Sequence, residues 1–178
     1  MTGELPPGFE RVLFTGDQIR ERIQEVGMEI SARYAGRPLR LIGVLKGSVY
    51  FLTELTRAIT IPVKIDFLAI SSFKNAAKAA GMVRIEKDLD EGIEGEDVLL
   101  VEDIVDTGLT VRYLLQTLAG RGPNSLGICT LLDRKSRRLV PAPVEFRCFE
   151  IPDRFVVGYG LDYKQLYRNL DYIAVMKQ

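Results

Sequence analysis

One segment, residues 98–110 (VLLVEDIVDTGLT), limits the folds open to this chain more than any other. Its first four residues are apolar, and they lead into two adjacent acids, Glu102 and Asp103. A third acid, Asp106, opens a short loop at 106–110 that contains one glycine and two threonines. After this loop, apolar residues recur at helical spacing at positions 111, 114, 115 and 118. The segment therefore predicts a buried strand, a tight loop and a helix in direct succession.

The loop at 106–110 has the chemistry of a phosphate site. Unpaired N–H groups and the helix dipole favour an anion at a helix N-terminus. Gly108 allows the backbone to approach the anion closely, and Thr107 and Thr110 can donate hydroxyl hydrogen bonds. Because no lysine follows at the G-x-x-x-x-G-K spacing, the loop is not a nucleoside-triphosphate P-loop. Acids just before the loop favour a sugar phosphate whose diol needs acceptors or a bridging Mg²⁺. Read alone, the segment is also compatible with ordinary loop chemistry.

The composition narrows the chemistry further. The chain has 178 residues, the size of one domain with a sizeable core. Its 24 basic residues balance its 24 acidic residues, so no overall charge draws it to nucleic acid or to a membrane surface. It contains no histidine, so acid–base chemistry falls to carboxylates or lysines, and any metal site is expected to be a hard, oxygen-liganded one.

The sequence also predicts a cytoplasmic location. The segment MTGELPPGFERVLF lacks the basic and apolar parts of a signal peptide, and no apolar run approaches the ~20 residues of a membrane span. Cys129 and Cys148 lie far apart in apolar, strand-like contexts, which favours buried free thiols.

Helices and strands are predicted to alternate along the chain. A capping box at Thr15 and Gln18 begins a first helix that extends to about Tyr34, and a second helix follows the turn at 46–48. Strands are predicted at 39–45, 63–70, 98–101 and 126–132, and an extended arm at 84–89 returns from a loop at 72–82. This alternation is typical of a parallel α/β sheet covered on both faces. We expect the remaining tail to form a flap over the carboxyl ends of the sheet, where ligands bind in open α/β sheets.

Three further segments offer polar groups, and each also has a purely structural interpretation. The turn Leu45–Ser48 follows a buried strand and is suited to a second anion, or it is a plain turn with an exposed Lys46. The basic loop 133–138 (DRKSRR) is a binding loop or a solvated run of charge. The segment 151–163 (IPDRFVVGYGLDY) places Phe155 at the edge of a site or in a core strand, and the two interpretations are compatible.

Together these motifs resemble the type I phosphoribosyltransferases, and VEDIVDTG (101–108) resembles their hypoxanthine-guanine branch. The resemblance extends from about Leu41 to Val175. It implies one domain over residues 1–178, with a central parallel twisted sheet flanked by helices as a core at about 37–140. A small hood would come from the N-terminal segment and about 141–178.

The implied function is purine salvage in the cytoplasm. A 5-phosphoribosyl group would pass from phosphoribosyl pyrophosphate to N9 of hypoxanthine or guanine, giving IMP or GMP and pyrophosphate, with xanthine left open as a further base. Mg²⁺ would be the cofactor, and the protein would be a homodimer or homotetramer.

The resemblance also implies roles for residues on the phosphoribosyl side. Asp106 would exchange a proton with N7 of the purine. The 5′-phosphate would be held by the loop Asp106, Thr107, Gly108, Leu109 and Thr110. The ribose hydroxyls and Mg²⁺ would be held by Glu102 and Asp103, with Asp162 as a further metal ligand. Pyrophosphate would be held by Leu45, Lys46, Gly47 and Arg168, with a cis peptide bond between the first two.

On the purine side, the implied residues are Arg134, Lys135, Phe155, Val156 and Asp162. The family reads Asp-Lys-Pro where this chain reads Asp133-Arg134-Lys135, so either cation can be the donor to the six-position oxygen. The lid departs further, since Ser72-Phe73 replaces Ser-Tyr and alanines replace small hydroxylated residues. We expect an active enzyme whose lid closes with altered kinetics.

Three alternatives stay open at this point. An RNA-binding regulator on the same fold would need a basic face, which the balanced charge and the purine-like segment 155–162 disfavour. A phosphoribosyltransferase for another base, such as xanthine or uracil, and an inactive homologue with an altered lid are the others. We therefore expect phosphoribosyl pyrophosphate and a 6-oxopurine as ligands, and no nucleic-acid or membrane partner.

Overall fold

The structure is a computed structural model that describes residues 7–72 and 83–177. The helices are α1 (Gly16–Arg33), α2 (Val49–Ala58) and α3 (Leu109–Ala119). The strands are β1 (Phe9–Phe14), β2 (Leu39–Leu45), β3 (Val63–Ser72), β4 (Val83–Lys87), β5 (Asp97–Val105), β6 (Ser125–Asp133), β7 (Phe146–Glu150), β8 (Val156–Val157) and β9 (Ile173–Met176). No helix in these two ranges is both long and apolar enough to cross a membrane.

Six strands form the main sheet, in the order β4-β3-β2-β5-β6-β7. Strands β3, β2, β5, β6 and β7 are parallel, whereas β4 pairs antiparallel with β3 at the edge. The predicted parallel sheet is confirmed, and the arm predicted at 84–89 is the antiparallel edge strand. Because parallel strands end at one edge, the loops after β2, β5 and β6 meet there.

Alternate residues of the central strands face two separate apolar cores. In β5, Leu99 and Val101 pack in the core that contains α1 and α2, whereas Val98 and Leu100 pack with α3. All four side chains are fully buried. Burial on both faces is the reason that this strand has an unbroken apolar run in the sequence instead of an alternation.

The start of α1 is set by its own sequence, as predicted. The hydroxyl of Thr15 accepts a hydrogen bond from the Gln18 N–H at 3.3 Å, and the Gln18 side chain accepts one from the Thr15 N–H at 2.9 Å. This capping box satisfies donors that a helix start leaves unpaired. The helix ends at Arg33, and Tyr34 is its C-terminal cap.

The two ends of the chain form a second, smaller sheet, in the order β1-β9-β8 with antiparallel pairing. This sheet and the segment 151–172 that leads into it are called the hood below. The predicted boundary at 140 was too early, because β7 pairs with β6 and extends the main sheet to Glu150.

The segment 98–110 folds as predicted in kind but not in its bounds. Strand β5 continues past the acids to Val105, because Glu102 and Val105 still pair with Thr130 and Asp133 of β6. Helix α3 begins at Leu109, so the last two residues of the predicted loop lie in the first helical turn.

Candidate active site

A cavity of about 240 Å³ opens at the carboxyl edge of the main sheet. It lies between the ends of β2, β3 and β5 and the start of α3. Its lining includes eight of the residues that the sequence singled out: Leu45, Gly47, Glu102, Asp103, Asp106, Thr107, Gly108 and Thr110. The fold therefore brings three groups of residues into one site. They are the loop at 106–110 (the phosphate loop), the acids Glu102 and Asp103 (the acid pair), and the turn at 45–48 (the glycine turn).

The phosphate loop presents the N-terminus of α3 to this cavity. Gly108 has a φ of +83°, which glycine adopts at little steric cost. A side chain would also lack space there, since a Cβ built on Gly108 would lie 2.7 Å from the Val140 carbonyl oxygen. The N–H of Arg112 donates to the Gly108 carbonyl oxygen at 2.9 Å and begins the helical hydrogen bonding. The N–H groups before it are the ones that a helix start leaves available to an anion.

The basic loop and the two residues after it form hydrogen bonds to the phosphate loop and to the end of β5. The N–H groups of Leu139 and Val140 donate to the Thr107 carbonyl oxygen at 2.9 and 3.2 Å. The Arg138 guanidinium pairs with the buried Asp133 and donates to the Val105 carbonyl oxygen at 3.4 Å. Arg138 is therefore part of the support for the site and not of a solvated run of charge.

The acid pair lies at the floor of the cavity. Glu102 is buried, and this burial raises the pKa of its carboxyl well above the ordinary value, with the charge of Asp103 raising it further. Burial also raises the pKa of Asp103 to about 6. The Ile104 N–H, which donates to Asp103 at 2.8 Å, and the positive charge of Arg168 oppose that rise. Two carboxylates held in this way have a strong need for a cation.

The glycine turn packs directly against the acid pair. The peptide bond Leu45–Lys46 is cis, as the resemblance implied. A Cβ built on Gly47 would overlap a carboxylate oxygen of Asp103, so a side chain at this position would require that carboxylate to move. The side chain of Lys46 is exposed, and the buried Ser48 hydroxyl donates to the Val44 carbonyl oxygen at 2.7 Å.

Arg168 lies in the hood segment and contacts other residues of that segment. The Arg168 guanidinium donates to the Gly160 carbonyl oxygen at 2.6 Å and to the Gln165 side chain at 3.3 Å. It also pairs with Asp162 at 2.7 Å. The predicted metal set of Glu102, Asp103 and Asp162 stays a prediction. No three acidic or cysteine side chains group as a metal cage within residues 7–72 and 83–177.

Of the two candidate base-binding cations, Arg134 faces the site. Arg134 is buried, and its guanidinium lies 3.5 Å from Asp106 and donates to the Arg154 carbonyl oxygen at 2.7 Å. The ammonium of Lys135 instead pairs with Glu150 at 2.7 Å, and both of these side chains are about half exposed. The second carboxylate oxygen of Asp106 is buried and has no hydrogen-bond partner in the part of the chain that the structure describes.

Phe155 and Val156 lie at the edge of the hood. The Phe155 ring is 44% exposed and meets the Tyr163 ring edge to face, with centroids 5.8 Å apart. The Phe155 carbonyl oxygen accepts a hydrogen bond from the Met176 N–H at 3.0 Å, and Val156 is buried in β8. The ring thus has one face open while its backbone is held in the hood, so both interpretations of this segment apply.

Three features of the site were missed, and a fourth cannot be compared. Sequence reasoning gave no role to Gly160, Arg137 or the Arg154 carbonyl group, although Arg137 lies 3.7 Å from Asp106. The pair of glycines flanking Tyr159 was the available signal for the first of these. The predicted lid lies outside the described residues. The structure does not describe residues 73–82, and it describes Ser72 only as the end of β3.

Comparisons with known proteins identify the family of this chain. The phosphoribosyl transferase domain family matches residues 15–164. The hypoxanthine-guanine phosphoribosyltransferase of Mycobacterium avium is 48% identical over 180 residues, which cover 97% of this chain and 89% of that protein. A crystal structure of the hypoxanthine phosphoribosyltransferase of Staphylococcus aureus is 41% identical and superposes with a TM-score of 0.93 over 99% of this chain and 96% of that one.

The hypoxanthine phosphoribosyltransferase of Trypanosoma cruzi, solved in complex with the product IMP, is 41% identical with a TM-score of 0.92 over 98% of both chains. The matches therefore span nearly the whole chain as well as the site. The chain belongs to the phosphoribosyltransferase family, and within it to the hypoxanthine-guanine phosphoribosyltransferases.

Proposed function

We propose that this protein transfers the 5-phosphoribosyl group of phosphoribosyl pyrophosphate to N9 of hypoxanthine or guanine, releasing pyrophosphate and giving IMP or GMP. The observation that carries this proposal is the meeting of the phosphate loop, the acid pair and the glycine turn in one cavity. A phosphate, a diol and a pyrophosphate are the parts of one sugar substrate, and the residues that would bind them line one cavity. The IMP bound to the Trypanosoma cruzi relative is the product of this reaction with hypoxanthine.

The phosphoribosyl group would be gripped from both ends. The N–H groups at the start of α3 and the hydroxyls of Thr107 and Thr110 would hold the 5′-phosphate. The turn at Leu45, Lys46 and Gly47 would hold pyrophosphate through its backbone, with Lys46 and Arg168 contributing positive charge. Holding both ends fixes the ribose between them, where Glu102 and Asp103 can accept from its hydroxyls.

The acid pair fits Mg²⁺. Mg²⁺ in substrate complexes is commonly bound by one or two carboxylates together with substrate phosphates and waters. Glu102 and Asp103 supply two hard oxygen ligands, and burial raises the pKa of each carboxyl. When bound, the ion would neutralise part of the negative charge on the departing pyrophosphate. Asp162, which is paired with Arg168, would act on this ion only at longer range.

The purine would lie between the hood and the phosphate loop. The exposed face of Phe155 offers a stacking surface, and the backbone of Val156 offers hydrogen bonds to the edge of the base. Arg134 is the better candidate for the donor to the six-position oxygen, because Lys135 is engaged with Glu150. A cation at this place favours 6-oxopurines over adenine.

Asp106 would hold the proton of N7 as N9 bonds to the sugar. One of its carboxylate oxygens is buried and without a partner among the described residues, and a purine N–H would supply the missing donor. An aspartate is a weak base in water, but the purine gives up this proton more readily as the N9 bond forms. Asp106 would thus return the base to neutrality in the same step that releases pyrophosphate.

The homodimer or homotetramer and the cytoplasmic location stay predictions. The lid roles of Ser72 and Phe73 stay predictions as well. No observation on this structure favours the RNA-binding regulator over the enzyme.

A spectrophotometric turnover assay tests the proposed function. Phosphoribosyl pyrophosphate and Mg²⁺ would be offered in parallel with hypoxanthine, guanine, xanthine, adenine and uracil. We expect conversion of the 6-oxopurines, no conversion of adenine or uracil, and loss of activity on adding EDTA. Turnover of uracil alone, or turnover that survives EDTA, would contradict the proposal.

A further inference from the structure

The hood contacts the glycine turn through the backbone atoms of Gly160 and Gly47. Gly160 has a φ of +100°, and a Cβ built on it would overlap the carbonyl oxygen of Gly47. The Tyr50 ring lies beside the same position, 3.6 Å from that Cβ, and its centroid is 6.4 Å from the Tyr159 ring. The carbonyl group of Gly160 accepts the hydrogen bond from Arg168 at 2.6 Å. Gly160, which has no side chain, is therefore a point at which the hood contacts the turn.

This contact continues into the floor of the cavity. On its other side, Gly47 packs against the Asp103 carboxylate with no space for a side chain. Because backbone atoms in close contact cannot rotate out of the way as a flexible side chain can, a displacement of Gly160 would be passed to Gly47. Asp103 lies next to Gly47, so the position of the turn relative to this acid would change.

We propose that Gly160 is a positioning residue for the pyrophosphate end of the substrate, because its missing side chain lets the hood press the turn at 45–47 against Asp103. This inference rests on the proposed function, since it assigns pyrophosphate to that turn. It also gives Arg168 a second task, which is to hold Gly160 in place through the carbonyl group.

The test compares two glycine-to-alanine variants. Gly160→Ala adds a methyl group that must push the hood and the turn apart by roughly 1 Å, and misplacements of that size can cost on the order of 100-fold. Gly158→Ala is the matched control, because Gly158 has a φ of +101° and its added Cβ would overlap the Tyr172 carbonyl oxygen inside the hood. Both variants bear the same kind of strain, but only the first changes the contact with the turn.

For Gly160→Ala we expect the KM for phosphoribosyl pyrophosphate and the Kd for pyrophosphate with Mg²⁺ to rise by about 10- to 100-fold. The KM for hypoxanthine should change by less than about threefold. For Gly158→Ala, the KM for phosphoribosyl pyrophosphate should not rise more than the KM for hypoxanthine. Equal changes of both KM values in Gly160→Ala, or the same pattern in Gly158→Ala, would overturn the inference.

A second variant covers the case in which Gly160→Ala does not fold. Tyr50→Ala removes a half-exposed ring from beside Gly160 without adding atoms, and should raise the Kd for pyrophosphate by about threefold. An unchanged Kd would overturn the inference. The proposed function fails separately, namely if the wild-type protein converts no base, and calorimetric binding of pyrophosphate with Mg²⁺ still decides the role of Gly160.

Discussion

Replacing Asp103 by asparagine should stabilise the metal-free protein while damaging its function. Burial raises the pKa of Asp103 from 3.8 to about 6, so the folded state resists the ionised form that prevails at neutral pH. A rise of this size corresponds to about 3 kcal/mol, which is the most that the variant can gain at pH 8. Asparagine keeps an oxygen for the Ile104 N–H and fills nearly the same volume beside Gly47.

The sign of the pH dependence follows from the raised pKa. Between the unfolded value near 3.8 and the folded value of about 6, the folded state binds more protons, so the wild-type protein loses stability as the pH rises through this window. The variant lacks this loss. The difference between the two should therefore be full above about pH 6 and should shrink as the pH falls toward 4.

Urea unfolding at pH 8, 6 and 5, with and without Mg²⁺ and pyrophosphate, measures the effect. We expect Asp103→Asn to be more stable than the wild type at pH 8 without ligand, and to gain less from Mg²⁺ and pyrophosphate. A variant less stable than the wild type at pH 8, or a difference that does not depend on pH, would refute the reasoning.

Asp66→Asn is the matched control at another place in the sheet. Asp66 is also buried, but it lies 3.3 Å from Arg40 and 3.7 Å from Lys87, and it accepts the Asp90 N–H at 3.1 Å. Its charge is compensated, so its removal should cost about 1.5–3 kcal/mol. Opposite signs for the two acid-to-amide changes would separate an acid held for function from one held for stability.

The remaining predictions concern the base end of the site. Asp106→Asn should lower kcat by about 10²- to 10⁴-fold with little change in the Kd for phosphoribosyl pyrophosphate, and equal losses in both would mean that the residue is structural. Arg134→Gln should raise the KM for hypoxanthine by about 10- to 100-fold, because a charged hydrogen bond is worth ~1.5–3 kcal/mol. Lys135→Gln breaks only the exposed pair with Glu150 and should change that KM by less than about threefold. A larger effect at Lys135 than at Arg134 would reverse the assignment.

The parts of the fold that were predicted correctly depend on residues close together in sequence. The capping box of α1 needs only Thr15 and Gln18, which are three residues apart. The turn before α3 needs a left-handed residue, and Gly108 provides it. The apolar run at 98–101 predicts burial on both faces, and the two cores that flank β5 confirm it.

The predictions that missed depend on residues brought together from a distance. Strand β5 was predicted to end at the acids, but pairing with β6 carries it to Val105. Residues 146–150 were assigned to the hood, but pairing with β6 makes them strand β7 of the main sheet. Strand ends are decided by the partner strand, which the local pattern does not contain.

The sequence alone therefore determined which chemical groups are available, their order along the chain and the family to which they correspond. It could not determine that Arg134, and not the adjacent Lys135, faces Asp106, since either cation can donate and only the surrounding fold decides which one lies at the site. Nor could it determine that Gly160 presses on Gly47, or that burial moves the pKa of Asp103 to about 6. Contact and burial depend on the packing of strands and hood that are far apart in the chain, so the tertiary structure alone decided them.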